Sequence, residues 1–441
     1  MAAPQQFLRT EQADPLAAAA AEEYARKCRR EFLLMSVTFG INHAAVTTPI
    51  LFASSVLTNT AGQGSNAVLY GMTLLVSLFM SSLLYSWFGA KRGLSISMLL
   101  YAIYVAMFAW SSDLCDEEDP NGSCTQGDAM QLPVALAAAF VGGCGAGLLW
   151  TCQGGFFAHI SEELATAEAK PKDVITAQLS GTFATIFLSM ECAMRALTTL
   201  LTNRNFHIGL TYPVVFALMS GLALIATMAF QVLATSMDAK QVPTRVCTKV
   251  LAAVELWKDP KLWLLQTTNL TFGFAAAWYG GWVNRNIVSK ALNPTFIGFL
   301  GAVLSGLAAA LSWAFGHVAT RCGKGPVILL GSLAFLSLGI GSKLVHHPDD
   351  WSWGVLIFPC FMGIGRAVYE STNKAIFADF FPGPKSPGAF ANVFVFGTGA
   401  STTAFVLGST SSGKYEFYLL VAFAALTFPC YFLARTITSS T

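Results

Sequence analysis

Five charged side chains stand inside long apolar runs of this sequence. Arg366, Glu370 and Lys374 follow one another at i, i+4 and i+8, and Glu191 and Arg195 sit at i and i+4. On a helix these spacings keep each set on one face, drifting ~40° per step. An ionisable group at the centre of a membrane costs about 2.5–3.5 kcal/mol on insertion scales, so each requires a reason to be there. The first set reads in two ways. It is either the charged wall of a central cavity, able to bind an anionic group or relay a proton, or a self-neutralising ladder whose adjacent members pair. In the second case Lys374 snorkels to the interface. Glu191 and Arg195 read first as a structural pair, with Glu191 and Glu370 as the two candidates for proton coupling. Asn42, His43, Gln153, Asn269 and Asn373 are polar groups in similar runs. With Arg366, Glu370 and Lys374 they make up the candidate cavity or substrate-binding set. Each has the alternative role of hydrogen-bonding glue between helices.

The elements that hold these groups follow from composition. The chain has 441 residues, 54% hydrophobic and only 11% charged. Its mean hydropathy is +0.56. Surface-to-volume scaling forbids burying so much apolar surface in one soluble domain. A soluble enzyme, a disordered chain and a small disulfide scaffold are excluded, and an all-α integral membrane protein is implied. Net charge is +2, which leaves no electrostatic footprint for nucleic acid. About twelve runs are long enough to span a bilayer: 32–58, 66–88, 94–111, 132–160, 175–201, 210–234, 262–284, 294–319, 326–344, 353–378, 387–409 and 415–434. The Ala-rich stretch before Phe32 carries Glu22, Glu23, Arg26, Lys27, Arg29 and Arg30. It reads either as an amphipathic helix on the membrane surface or as a mobile tail. Trp150, Trp278, Trp282, Trp351 and Trp353 fall near span ends, as in an aromatic belt.

With the N-terminus inside, most Lys and Arg fall in the inner segments, and only Arg204, Arg285, Lys290, Lys343 and Lys414 in the outer loops. The positive-inside rule then places both termini in the cytoplasm, at the plasma membrane or an endomembrane. Residues 112–131 form the longest outer loop. It holds Cys115 and Cys124, a candidate disulfide, and the acceptor triplet Asn121-Gly122-Ser123, a candidate glycosylation site.

Six spans precede residue 235 and six follow residue 261, which divides the chain into five parts. These are an N-terminal segment (1–31), a six-helix half (32–234), a cytoplasmic linker (235–261), a second six-helix half (262–435) and a tail (436–441). Apolar residues at helical spacing around Val246–Trp257 put a short helix in the linker. Two pseudo-symmetric halves of six helices are the layout of the major facilitator superfamily. Between spans 8 and 9 the sequence Gly316-His-Val-Ala-Thr320-Arg321-Cys-Gly323-Lys324 resembles that superfamily's inner-loop gating signature, with Gly316, Arg321, Gly323 and Lys324 matching and Thr320 in place of the usual Asp. Between spans 2 and 3 only Gly89-Ala90-Lys91-Arg92-Gly93 remains.

Two stretches narrow the resemblance. Span 4 reads GGCGAGLLWTCQG (Gly142–Gly154), and span 10 with its exit reads GIGRAVYESTNKAIFADFFPGPKSPGAFANV (Gly363–Val393). Both resemble the uncoordinated-93-like (UNC-93-like) family, a divergent branch of the major facilitator superfamily. Its marks are Trp-Thr-x-Gln-Gly, Gly-x-Gly-Arg, Glu-x-x-Asn-Lys, Asp-Phe-Phe and Ala-Phe-Ala-Asn. The resemblance implies a transporter fold. It leaves two activities open: a secondary transporter of a small anionic or zwitterionic solute, or a non-transporting regulatory subunit or trafficking chaperone of an ion channel or receptor. The expected partners are therefore the lipid bilayer and either a solute or another membrane protein. Enzymatic chemistry is not expected, nor a cofactor or metal. His346-His347 with Asp349-Asp350 reads as a solvated turn.

Overall fold

Backbone groups in a bilayer find no water to bond, so each apolar run closes its hydrogen bonds on itself as a helix. In the computed structural model, which describes residues 15–119, 123–203, 208–235, 246–381, 385–411 and 414–439, the helices run in chain order. They are α1 (Pro15–Val56), α2 (Asn59–Leu75), α3 (Ser81–Asp113), α4 (Gln131–Ala167), α5 (Lys172–Thr202), α6 (Tyr212–Leu233) and the linker helix α7 (Val246–Glu255). Then come α8 (Pro260–Ala277), α9 (Ser289–Leu292), α10 (Ile297–Cys322), α11 (Gly325–Lys343), α12 (Ile357–Val368), α13 (Lys374–Phe380), α14 (Ser386–Ser411) and α15 (Lys414–Ser439). Among the described residues, ten helical stretches are each long and apolar enough to cross a membrane unaided. The other two of the twelve expected are residues 59–88 and 260–292, interrupted by π-helical segments at Val76–Met80 and Trp278–Val288. A third π segment, Tyr369–Asn373, joins α12 to α13.

The two sets of six helices repeat one packing scheme. In the first, α1 packs on α5 and α6, α3 on α4 and α6, and α2 on α4. In the second, α8 packs on α14 and α15, α11 on α12 and α15, and α10 on α12. Each pairing has its counterpart six spans later, the pseudo-symmetry expected of two related halves. Between the halves, α2 meets α14 and α5 meets α10, which are again counterparts.

One end of the bundle carries a hairpin of β1 (Cys115–Glu118) and β2 (Cys124–Gly127), closed by the Cys115–Cys124 disulfide. The opposite end carries the linker helix. Asn121, the glycosylation candidate, lies outside the described residues.

The N-terminal charged stretch is neither a surface helix nor a tail from Pro15 onward. It continues α1, a 42-residue helix, as a stem. Arg29 bonds Glu168 at 2.5 Å and the Tyr24 hydroxyl donates to Glu163 at 2.8 Å, so α1 is tied to the end of α4. Lys170 and Arg29 hold the Glu168 carboxyl below its ordinary range.

Candidate functional site

Close approach of three helices builds the centre. A Cβ on Gly298 of α10 would lie 2.4 Å from the Arg195 carbonyl of α5, so only glycine lets these two helices touch there. That contact sets Arg195 and Glu191 of α5 beside Ser305 of α10. Glu191 is fully buried. Its Oε1 accepts from Arg366 Nη1 at 2.7 Å and the Ser305 hydroxyl at 2.9 Å, and forms an ion pair with Arg195 Nη2 at 2.6 Å. Its Oε2 accepts from Arg366 Nη2 at 3.0 Å. Arg366 of α12 therefore forms a two-pronged ion pair with the opposite half, the geometry for which arginine is suited. Arg195 Nη1 reaches on to the Ser305 hydroxyl at 2.6 Å, while its Nε is buried with no acceptor.

This arrangement corrects the one-face ladder expected of span 10. Arg366 turns to Glu191, and the π segment at Tyr369–Asn373 separates it from the Glu370–Lys374 pair, which closes at 2.7 Å. Nor is Glu191–Arg195 a private pair, since Glu191 joins both halves. The cluster of Glu191, Arg195 and Arg366 keeps one positive charge in excess.

The other expected residues fall into four groups. Asn269 of α8 and Asn373 bond each other at 2.8 Å, both buried, and Gln266 accepts from Asn269 at 2.5 Å. Asn42 is glue within the first half, donating to the carbonyls of Met98 on α3 and Ala223 on α6. His43 is buried among Phe39, Tyr101, Trp150 and Phe187, and its Nδ1 has no partner. Gln153 is buried on α4, and no hydrogen bond joins it to the charged cluster among the described residues.

The stretch that resembles the inner-loop signature is held by contacts to α13. Gly323 takes φ +80°, which favours glycine, and lets Lys324 turn to Asp379 and to the Ala375 carbonyl of α13. The acid that the signature lacks at Thr320 is thus matched by Asp379 of the Asp-Phe-Phe motif. Arg321 is exposed and Gly316 faces open space. Lys91 in the corresponding loop of the first half caps α6 instead, donating to the Ala234 carbonyl at 2.5 Å. The Ala-Phe-Ala-Asn motif holds the linker: Asn392 donates to the Ala253 carbonyl and accepts from Trp257 Nε1 at 2.8 Å.

Several contributors lay outside the expected set. Arg285, expected in a loop, is part-buried. It donates to the carbonyls of Ser54 and Leu57 at the end of α1 and of Cys124 in the hairpin. Its partners are backbone groups, which no side-chain pattern reveals. Trp278 is fully buried and Trp282 stacks on it at 4.4 Å, so both leave the expected aromatic belt and face the Lys343 ammonium instead.

The two ends of the seam between the halves differ. At the hairpin end α5 and α10 interlock, the Thr199 hydroxyl donating to the Thr295 carbonyl at 2.6 Å and Arg195 lying on Gly301. Asn284 also donates to the Leu51 carbonyl of α1 at 3.1 Å. Continuing the α5–α10 register would set Gly181 beside Gly316. A Cβ on either meets no atom within 4 Å, so the close approach made at Gly298 is not repeated at these two glycines. On the α5–α10 side the close approaches between the halves lie toward the hairpin end.

No protein-family profile matches the chain. Among named proteins, unc-93 homolog A of Bos taurus is 24% identical over 372 residues, 75% of this chain and 76% of that protein. Unc-93 homolog A of Danio rerio is 28% identical over 184 residues, 41% of this chain and 39% of that protein. Among solved structures, a D-xylose-proton symporter matches with TM-score 0.65 at 13% identity, covering 92% of this chain and 97% of that one. The nucleoside transporter NupG matches with TM-score 0.66 at 12% identity, covering 92% and 99%. The chain is a multi-pass integral membrane protein with the major facilitator fold, and the UNC-93-like resemblance of its two motifs is borne out by these relatives.

Proposed function

We propose that the protein is a secondary transporter that moves a small anionic or zwitterionic solute by alternating access, with Arg366 at the centre of its site. The observation that carries this reading is the buried cluster that bridges the halves: two guanidiniums on one carboxylate, one positive charge in excess. A buried charge without a counter-charge is costly, so the cluster favours a solute carboxylate or phosphate. Such a group competes with Glu191 for Arg366. Because Glu191 belongs to one half and Arg366 to the other, that competition couples solute binding to the seam. Protonation of Glu191 releases Arg366 by the same route, which makes Glu191 the coupling acid of this scheme. Glu370 is already neutralised by Lys374. The alternative, a regulator or chaperone docking a partner span on the span-10 charges, is less well supported, because Arg366 points into the bundle at Glu191.

The test uses purified protein in proteoliposomes and a panel of small carboxylates, phosphates and zwitterions. One of them is expected to raise the unfolding temperature and to accumulate in the vesicles. Arg366→Gln should abolish both effects while the protein still elutes as a single folded species. A protein that binds none of the panel, moves none, and leaves the membrane with a second protein attached would overturn the proposal.

A further inference from the structure

A second buried carboxylate lies at the hairpin end of the same seam. Glu416, in the first turn of α15, is fully buried, and among the described residues neither of its oxygens has a hydrogen-bond donor. Beside it Gln63 of α2, also buried, has an Oε1 with no donor. A Cβ built on Gly408 of α14 would lie 1.6 Å from Gln63 Oε1 and 2.8 Å from Glu416 Oε1, so both oxygens crowd one point that only glycine leaves free.

The orientation of Gln63 is fixed by its neighbours. The Gly408 carbonyl can only accept, and it takes Asn59 Nδ2 at 3.5 Å. Asn59 Oδ1 therefore faces Gln63 Nε2, at 2.8 Å. Gln63 Oε1 is left on the side of Glu416. Two sets of acceptors face each other with no donor between them among the described residues.

Among the described residues, Lys343 of α11 is the charged group close enough to act on Glu416. It forms no ion pair with it. Its ammonium stands over the rings of Trp282, Trp278 and Phe417, at 4.5, 5.3 and 5.8 Å, and those faces already engage the charge.

We infer that Glu416 is a proton-binding site: it is held as a neutral carboxylic acid whose O–H donates to Gln63 Oε1 across the seam between the halves. One proton supplies the donor that both groups lack and removes a buried charge. The bond joins α2 of one half to α15 of the other. Losing the proton leaves a carboxylate against an amide oxygen, so alkaline conditions loosen the hairpin end. The site needs no solute, and it stands whether or not the protein is a transporter.

The experiment is infrared difference spectroscopy on the full-length protein in lipid nanodiscs, titrated from pH 6 to about 10. At pH 7 a carboxylic-acid C=O band is expected, lost in Glu416→Gln and lost in the wild type on alkalinisation. Glu416→Gln can fold, because its amide N–H donates to Gln63 Oε1 in place of the acid. Gln63→Leu leaves the acid in place, and should move the band without abolishing it. That variant keeps the test decisive should Glu416→Gln fail to fold. The wild type should also lose thermal stability at alkaline pH while Glu416→Gln does not. Absence of a pH 7 band that depends on Glu416 or Gln63 would overturn the inference. So would stabilisation by sodium over choline that Glu416→Gln removes, since the occupant would then be a metal cation.

Discussion

Glu191 and Glu416 are both fully buried carboxylates, and both lie where the two halves meet. They differ in what surrounds them. Glu191 receives two guanidiniums and a hydroxyl, whereas Glu416 receives no donor. Burial alone therefore does not say what a membrane carboxylate does. Where donors converge, the ionised form is held and becomes one side of an exchangeable ion pair. Where acceptors converge, the proton is held instead. The first arrangement suits an anion site between the halves, and the second suits a latch at the hairpin end.

The largest effect that could break this contrast is at the centre. Glu191→Gln leaves two guanidiniums facing each other in a buried site, and should cost about 3–5 kcal/mol in thermal or denaturant unfolding. Adding Arg366→Gln should recover part of that loss, and the double-mutant cycle gives the coupling across the seam. Glu416→Ala should cost less, about 1–3 kcal/mol, by leaving Gln63 Oε1 without a donor. Glu416→Gln should be close to neutral, and an equal loss from it and Glu191→Gln would erase the distinction. Lys343→Met comes next, at about 0.5–2 kcal/mol, since it removes a cation–π contact and no ion pair. A smaller loss than that of Arg366→Gln would sharpen the contrast.

The smallest effect concerns a third carboxylate, Glu168, only part-buried at the foot of the α1 stem. Lys170 and Arg29 lower its titration, so its contribution is fully present above the ordinary carboxylate range and is lost as pH falls through the lowered value. Exposure of its partners keeps the effect small. The hydrogen-exchange protection of residues 15–31, after division by the intrinsic rate at each pH, should fall in acid and stay unchanged from pH 6 to 8.

Much of this was legible in the sequence. Apolar run length gives the spans, because the bilayer fixes how long a helix must be. The Cys115–Cys124 pairing was legible from two cysteines in one polar loop, and the resemblance of two motifs pointed to the fold. Partnership was not legible. Arg366 stands four residues from Glu370, yet bonds Glu191 on another helix. Helix–helix neighbours are set by small residues such as Gly298, not by charge spacing. The π segments are equally hidden, since hydropathy reports no difference between wide and regular turns. Glu416 escaped notice because an acid in the first turn of a helix reads as an ordinary flank, and only the surrounding acceptors reveal that it lacks a donor.

The two halves meet closely at the hairpin end, at Gly298 and Gly301, and make no such contact at Gly181 and Gly316 toward the linker end. The most direct test is to measure both ends at once by pulsed electron–electron resonance in nanodiscs. One spin-label pair would sit at Gly181 and Gly316, and another at Glu118 and Lys290. The prediction is two populations whose distances move in opposite directions: alkaline pH or a bound anion that lengthens the second pair shortens the first. A single distance at both ends, unmoved by pH and by every anion of the panel, would contradict it.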